Sequence, residues 1–208
     1  MNGLEIVAQL TALIFGVTAH EFAHAWVGHQ LGDTTAKDQG RLTMNPIAHI
    51  DPIATLLLPI FLILIGSPVI FAAAKPVPFN PWALQGGRWG AALVAVAGPL
   101  TNLMIAGFVA LWLQLMPLSA VSATFLLAMV LVNVGLFVFN MIPFPPLDGS
   151  RVLYAMAPPS WREVLDRIER MGFAVLLIVM LFGFQYISPY VAKVTTFIVH
   201  FLIGSLRV

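Results

Sequence analysis

Long apolar runs fill most of this chain and restrict it to folds that suit a membrane. Residues 4–31, 88–116 and 121–141 each form a nearly continuous apolar run, and a helix needs about 20 such residues to cross a bilayer. Only 9% of the residues are charged, whereas soluble domains carry about 25%. We therefore predict an all-α polytopic membrane protein with about five to six transmembrane or re-entrant helices. Short irregular or extended loops should lie at membrane depth.

Composition also excludes several classes of partner and site. The formal net charge is +1, which gives no electrostatic reason to expect nucleic-acid binding. The chain has no cysteine, so disulfides, thiolate metal ligands and a cysteine nucleophile are excluded. The N-terminus lacks the basic stretch of a signal peptide, and we expect its apolar run to be a retained helix.

No polar block of the sequence is long enough to fold separately outside the bilayer. We therefore predict one membrane-embedded domain over residues 1–208, with a core at 4–155 and C-terminal helices at 159–207. Residues 159–170 are rich in charge and are predicted to form a short solvated or interfacial helix. The apolar remainder is predicted to form two helices separated at Ser188-Pro189.

Proline and glycine interrupt the stretch that follows the first apolar run. Residues 52–74 are long enough to cross the membrane but are broken near Pro59 and Gly66. We interpret 52–74 as a re-entrant hairpin, because a full crossing would place the polar motifs described below at different membrane depths. Residues 74–81 are too rich in proline for a helix and are predicted to form an extended loop.

The first apolar run contains the motif His20-Glu21-Phe22-Ala23-His24. Residues four apart on an α-helix lie on one face, about 6 Å apart along the axis, so both histidines can reach one metal ion. Neutral imidazole suits Zn²⁺, and a catalytic zinc site usually has three protein ligands and a water. Glu21 adjoins His20 and can accept a proton from that water. The alternative is an incidental pair of histidines facing neighbouring helices.

A catalytic zinc site of this kind needs a third protein ligand. Asp148 follows a helix that ends in a proline-rich stretch, so its carboxylate can point back among the helices. A buried carboxylate needs a partner, and a metal ion would supply one. Equally, Asp148 can cap a helix that starts near Ser150 or pair with Arg151. The other candidates are His29, Asp33, His49, Asp51 and His200.

Three motifs occur along the chain in a particular order: HEFAH at 20–24, GPLTN at 98–102 and NMIPFPPLDG at 140–149. Together they resemble the site-2 protease family of intramembrane zinc metalloproteases, over roughly residues 15–155. No PDZ-like insert or nucleotide-sensing segment is evident, so the sequence is similar to the compact bacterial members of that family.

The resemblance implies a zinc cofactor and hydrolysis of peptide bonds within or near transmembrane segments. His20, His24 and Asp148 would be the zinc ligands, and Glu21 would be the general base. Asn140 would help to hold substrate or the oxyanion.

Asn102, within GPLTN, would line the same cavity and bind substrate by this resemblance. For Asn102 and for Asn140 the alternative role is a hydrogen bond that joins two helices. The loop residues Arg41, Asn45, His49 and Asp51 either line the substrate path or form a loop network that satisfies itself.

The implied location is the cell membrane, as a multi-pass protein of a bacterial inner membrane. The implied partners are the lipid bilayer and a transmembrane protein or peptide substrate, with a homo-oligomer also open and nucleic acid excluded. Two other functions stay open at this point. One is a transporter or channel that binds a divalent metal ion at the His, Glu and Asp cluster. The other is a catalytically silent scaffold for transmembrane partners.

Overall fold

The computed structural model describes residues 2–51, 57, 64 and 75–204. Within these residues the chain is helical and contains no β-strand, which confirms the predicted all-α class. The re-entrant hairpin predicted over 52–74 lies outside the described residues apart from two isolated positions.

Eight α-helices account for most of the described chain. Four of them carry segments long and apolar enough to cross a membrane: α1, α3, α4 and α8. A 3₁₀ turn at Pro46–His49 follows α2, and one π-helical turn at Val179–Gly183 joins α7 to α8. The helices are α1 (Gly3–Gln30), α2 (Thr35–Asp38), α3 (Arg88–Leu115), α4 (Ala120–Asn140), α5 (Asp148–Met156), α6 (Pro159–Arg170), α7 (Phe173–Ile178) and α8 (Phe184–Ile203).

Both ends of α1 follow from local sequence. Asn2 caps the helix by accepting a hydrogen bond from the Glu5 N–H at 2.9 Å, and the Glu5 carboxylate accepts one from the Asn2 N–H at 3.0 Å. This reciprocal pair satisfies two N–H groups that the first turn leaves free. At the other end Gly32 has a φ of +98°, which suits glycine and stops the helix. The helix therefore ends at Gln30, within one residue of the end of the apolar run at 4–31.

Small and β-branched residues let α1, α3 and α4 pack closely against one another. The outer side of α3 and α4 is covered by α8, through Ile198 and Leu202 among others. The buried apolar residues of these contacts are Ala8, Ala12, Ala106, Ala110, Ala128, Val130, Val134 and Val138. The three-helix packing also encloses two polar side chains, Asn102 and Asn133, which are fully buried.

The helix break predicted at Ser188-Pro189 is wrong. Helix α8 runs through Pro189, and the irregular turn lies earlier, at Val179–Gly183. Proline removes one hydrogen bond from a helix, but helices in membranes tolerate it because neighbouring groups and local adjustments satisfy the freed carbonyl. The predicted helix at 159–170 is confirmed as α6.

Residues 75–80 have no regular secondary structure, as their prolines predict. Arg41 donates hydrogen bonds to the carbonyls of Lys75, at 2.7 Å, and Pro76, at 3.1 Å. The Asp33 carboxylate accepts one from the Asn80 N–H at 2.6 Å. The segment is therefore tied at both ends to the loop that follows α1, which places it beside the C-terminal half of that helix.

Candidate active site

Two histidines on α1 and an aspartate on α5 converge on one point. His20 Nε2 lies 2.9 Å from His24 Nε2. Asp148 Oδ2 lies 3.1 Å from His20 Nε2 and 3.4 Å from His24 Nε2. Both histidines are buried. These three residues form a group of side chains close enough together to hold one metal ion.

Asp148 occupies the first turn of α5 and faces the histidines. Its position depends on Gly149, where an added Cβ would clash with the carbonyls of Met141 and Ile142 at the end of α4. A glycine there lets α5 start tight against α4. Neither alternative role for Asp148 is observed, because Arg151 pairs with Glu169 and the residue that caps α5 is Leu147.

Hydrogen bonds to the Nδ1 atoms fix the orientation and the tautomer of both histidines. His24 Nδ1 lies 2.7 Å from the carbonyl oxygen of Val94, which can only accept, so this nitrogen carries the proton. His20 Nδ1 lies 2.7 Å from the amide oxygen of Asn102 and donates in the same way. With Nδ1 protonated on both neutral rings, each Nε2 has a free lone pair directed at the other.

The cluster fits a zinc ion by the chemistry and spacing of its donor atoms. Two imidazole lone pairs and a carboxylate oxygen meet without a donor between them, and Asp148 Oδ2 is buried with no hydrogen-bond partner among the described residues. In a tetrahedral zinc site with bonds of about 2.0–2.1 Å, neighbouring ligand atoms lie about 3.3 Å apart. The observed separations lie close to that value. A cation at this point would satisfy all three atoms.

Helix α3 leaves room at the cluster by presenting bare backbone. A Cβ added to Gly98 would lie 2.7 Å from His20 Nε2 and closer still to His24 Nε2. No side chain fits in that position without displacing the imidazoles. The glycine of GPLTN is therefore required by the site itself, in addition to any close contact between helices.

Glu21 lies beside the cluster and faces the irregular segment 75–80. Its carboxylate accepts a hydrogen bond from the Val77 N–H at 3.1 Å, and the side chain is largely buried. A carboxylate with one oxygen held in this way keeps the second oxygen available for a water molecule.

Comparison with known proteins places the chain in a family. It is 41% identical over 175 residues to the "Putative zinc metalloprotease YwhC" of Bacillus subtilis, an alignment that covers 80% of this chain and 76% of that protein. The chain belongs to peptidase family M50. Residues 114–183 match the model of that family directly. This membership confirms the resemblance to site-2 proteases, and it makes the chain a zinc metalloprotease with apolar helices of membrane-spanning length.

More distant relatives carry the same kind of name. The "Putative zinc metalloprotease Rip2" of Mycolicibacterium smegmatis is 26% identical over 180 residues, which is 84% of this chain and 67% of that protein. The protein of the same name from Mycobacterium tuberculosis is 27% identical over 177 residues, with the same coverage. No solved structure matches this chain significantly.

The two asparagines predicted from the resemblance to site-2 proteases lie in different surroundings. Asn102 is fully buried behind His20, and its amide nitrogen donates to the Gly16 carbonyl at 3.0 Å and to Asn133 Oδ1 at 2.8 Å. It joins three helices, as the alternative role described, and its polar atoms are occupied by protein groups. The structure therefore does not place Asn102 where substrate can reach it. Asn140 ends α4, half-buried, and donates to its own helix at the Leu136 carbonyl.

His49 and Asn45 each form hydrogen bonds to nearby backbone groups of the loop. His49 Nε2 donates to the Thr43 carbonyl at 2.9 Å, and the Asn45 side chain accepts from the Ile47 N–H at 3.1 Å. Together with the bonds from Arg41 to the carbonyls of segment 75–80, these contacts form a loop network in which His49 Nδ1 is buried with no hydrogen-bond partner among the described residues. Asp33, which the sequence offered as a possible third ligand, accepts hydrogen bonds from the N–H groups of Thr35 and Asn80.

Sequence reasoning missed Asn133 and Val94. An asparagine within an apolar helix is a signal in itself, because polar groups at such positions are costly unless they are paired. Val94 acts through its backbone carbonyl, so its side chain gives no signal at all.

Proposed function

We propose that this protein is an intramembrane protease that hydrolyses peptide bonds within or near transmembrane segments of other membrane proteins. The observation that carries the proposal is the meeting of His20, His24 and Asp148 Oδ2 within 3.4 Å of one another. Two of these ligands lie on α1, a helix of membrane-spanning length and composition. The proposed location is the cell membrane.

The catalytic roles follow from the protonation and position of each group. Zinc, when bound, lowers the pKa of a water molecule to about 7 and polarises a carbonyl group. Glu21 accepts the proton from the attacking water on the carboxylate oxygen that Val77 does not occupy. It then delivers that proton to the leaving amide nitrogen, so the peptide bond breaks into a carboxylate and an amine.

The chain also supplies groups that hold the reacting partners in place. The Val94 carbonyl and Asn102 keep the two imidazoles oriented through their Nδ1 atoms. Asn140 uses one hydrogen of its amide nitrogen to bond the Leu136 carbonyl, and we assign the second hydrogen to substrate binding or to the oxyanion. Its replacement by alanine should lower kcat with no change in zinc content, by about 10²-fold if it stabilises the oxyanion.

The proposed substrate is a transmembrane protein or peptide whose helix unwinds at the cleavage point, since an amide inside a helix is closed to attack. Segment 75–80 contacts Glu21 and is non-helical, so an unwound peptide can be held alongside it. We also propose that the protein can form a homo-oligomer.

The test is a metal analysis of the full chain in mild detergent, paired with cleavage of a transmembrane model peptide. Wild type should carry about one zinc per chain and cleave. Asp148→Ala should lose zinc and activity, whereas Glu21→Gln should keep zinc and lose activity. Zinc retained by Asp148→Ala would refute the ligand set. Zinc flux into vesicles without any cleavage would favour the transporter instead.

A further inference from the structure

A continuous chain of hydrogen bonds leads from His20 to α4. His20 Nδ1 bonds Asn102 Oδ1 at 2.7 Å, and Asn102 Nδ2 donates to Asn133 Oδ1 at 2.8 Å. Asn133 Nδ2 donates in turn to the Met129 carbonyl, also at 2.8 Å. Asn102 and Asn133 are both 0% exposed, so no solvent competes for these bonds.

The far end of this chain sets the direction of every bond in it. The Met129 carbonyl can only accept, so the Asn133 nitrogen must face it and the Asn133 oxygen must face Asn102. Asn102 therefore turns its nitrogen toward Asn133 and toward the Gly16 carbonyl, a second acceptor. Its oxygen is left to face His20.

The orientation of Asn102 decides which nitrogen of His20 carries the proton. An amide oxygen facing Nδ1 requires a proton there and leaves the Nε2 lone pair free. With the amide rotated by half a turn, its nitrogen would face Nδ1 and would favour the tautomer with hydrogen on Nε2. In that tautomer His20 cannot bind a metal through Nε2.

We propose that Asn133 is a positioning residue that, through Asn102, holds His20 in the tautomer able to bind zinc. Helix α1 makes space for it, because a Cβ at Gly16 would lie 2.8 Å from Asn133 Oδ1. The inference rests on the proposed function only in taking His20 as a zinc ligand. It adds a determinant on α4, a helix that supplies none of the three converging side chains.

The first test is the zinc affinity of Asn133→Leu, which keeps the same branching of side-chain heavy atoms but offers no acceptor to Asn102. Metal-free full-length protein in detergent is titrated with zinc against a competing chelator. We expect affinity to fall about ten-fold, as for other groups that orient a metal-binding histidine. The matched control is Thr124→Val on the same helix, which also loses a side-chain bond to a carbonyl four residues back but lies away from the cluster.

A double-variant comparison separates this role from a general loss of packing. If Asn133 acts through Asn102, Asn133→Leu should weaken zinc binding in wild type but cause no further loss in an Asn102→Leu background. An equal loss in both backgrounds would overturn the proposal. Nitrogen-15 shifts of His20 in the metal-free protein provide a direct readout, since Asn133→Leu should populate the tautomer protonated at Nε2.

A conservative variant keeps the test decisive if the leucine variant folds poorly. In Asn133→Asp, a neutral carboxylic acid can accept from Asn102 and donate to the Met129 carbonyl, so zinc affinity should stay within about three-fold of wild type. Affinity as low as in Asn133→Leu would refute the proposal. If wild type binds zinc and Asp148→Ala does not, while both Asn133 variants bind normally, this inference alone has failed.

Discussion

The carboxylate of Glu21 accepts a hydrogen bond from the backbone N–H of Val77, with 3.1 Å between Oε2 and N. The proposed general base is thus joined to a segment far away in the sequence. That segment is tied down by Arg41 and Asp33, which bind its two ends. The position of the base therefore depends on the loop after α1 as well as on α1 itself.

The first prediction compares two substitutions of Glu21. Glutamine keeps an oxygen that can accept from the Val77 N–H, whereas alanine removes the acceptor. Both should reduce peptide hydrolysis by about 10²- to 10⁴-fold, because neither can take a proton from water. Only Glu21→Ala should speed hydrogen exchange at the Val77 amide, measured by mass spectrometry. Equal exchange in the two variants would show that the bond does not hold the segment.

The second prediction concerns Arg41, which is buried and binds two carbonyls of segment 75–80. Arg41→Gln should lower kcat/KM by about ten-fold or more with zinc content unchanged, since charge-assisted hydrogen bonds contribute about 1.5–3 kcal/mol. Lys37→Gln removes an exposed positive charge from the same loop and should leave both quantities near wild type. Loss of zinc in Arg41→Gln would mean that the loop holds the metal-binding residues in position, and that its effect is not limited to Glu21.

The third prediction uses two glycines of α3. Gly98→Ala should weaken zinc binding by at least ten-fold, because the new methyl group would overlap the space beside both Nε2 atoms. Gly107→Ala is the control, since a Cβ there meets no atom within 4 Å. Alanine is the better helix former in both places, so a general gain in helix stability cannot explain a difference. Normal zinc affinity in Gly98→Ala would refute the cluster geometry.

The fourth prediction is a pH dependence of stability that arises at Asp33, outside the membrane-spanning helices. Burial raises the pKa of the Asp33 carboxyl, but hydrogen bonds from the Thr35 hydroxyl, the Thr35 N–H and the Asn80 N–H lower it by more, so the pKa lies below the ordinary value of 3.8. A pKa lowered by folding means that the stabilisation is complete above about pH 4 and is lost as the pH falls through the folded-state value.

Thermal unfolding in detergent checks this dependence. Wild type should lose stability as the pH falls below about 4, and Asp33→Asn should lose part of that dependence and be less stable at pH 7 by about 1–3 kcal/mol. Asp38→Asn, which changes an exposed carboxylate bonded to Thr34, should behave as wild type. If Asp33→Asn lost stability below about pH 4 as steeply as wild type, the pH dependence would come from other carboxylates.

Much of the helical framework could be predicted because apolar runs and their end signals are local properties of the sequence. The first helix ends at Gln30, just before the positive-φ glycine Gly32, and residues 75–80 are non-helical because of their prolines. The break expected at Pro189 did not occur, because tolerance of proline depends on the surroundings of the helix and not on the proline itself.

The site was predictable only in part, for a comparable reason. The spacing of His20 and His24 shows that they share one face of a helix, but spacing could not decide whether Asp148 binds a metal or caps a helix. The answer depends on tertiary contacts: Arg151 pairs with Glu169 and not with Asp148, and Gly149 lets α5 start tight against the end of α4. The role of Asn133 depends on its partner on another helix, which no local pattern contains.

The three proposed metal ligands come from opposite halves of the chain, and this separation bears on when the enzyme becomes active. While the protein is being synthesised, α1 enters the membrane with both histidines but with no carboxylate to complete the cluster. Asp148 arrives only after α3 and α4 have been made, and α3 also brings the groups that orient the imidazoles. If these three residues bind the zinc ion, we expect a partly synthesised chain to be inert, with proteolytic activity beginning only once the bundle has been assembled.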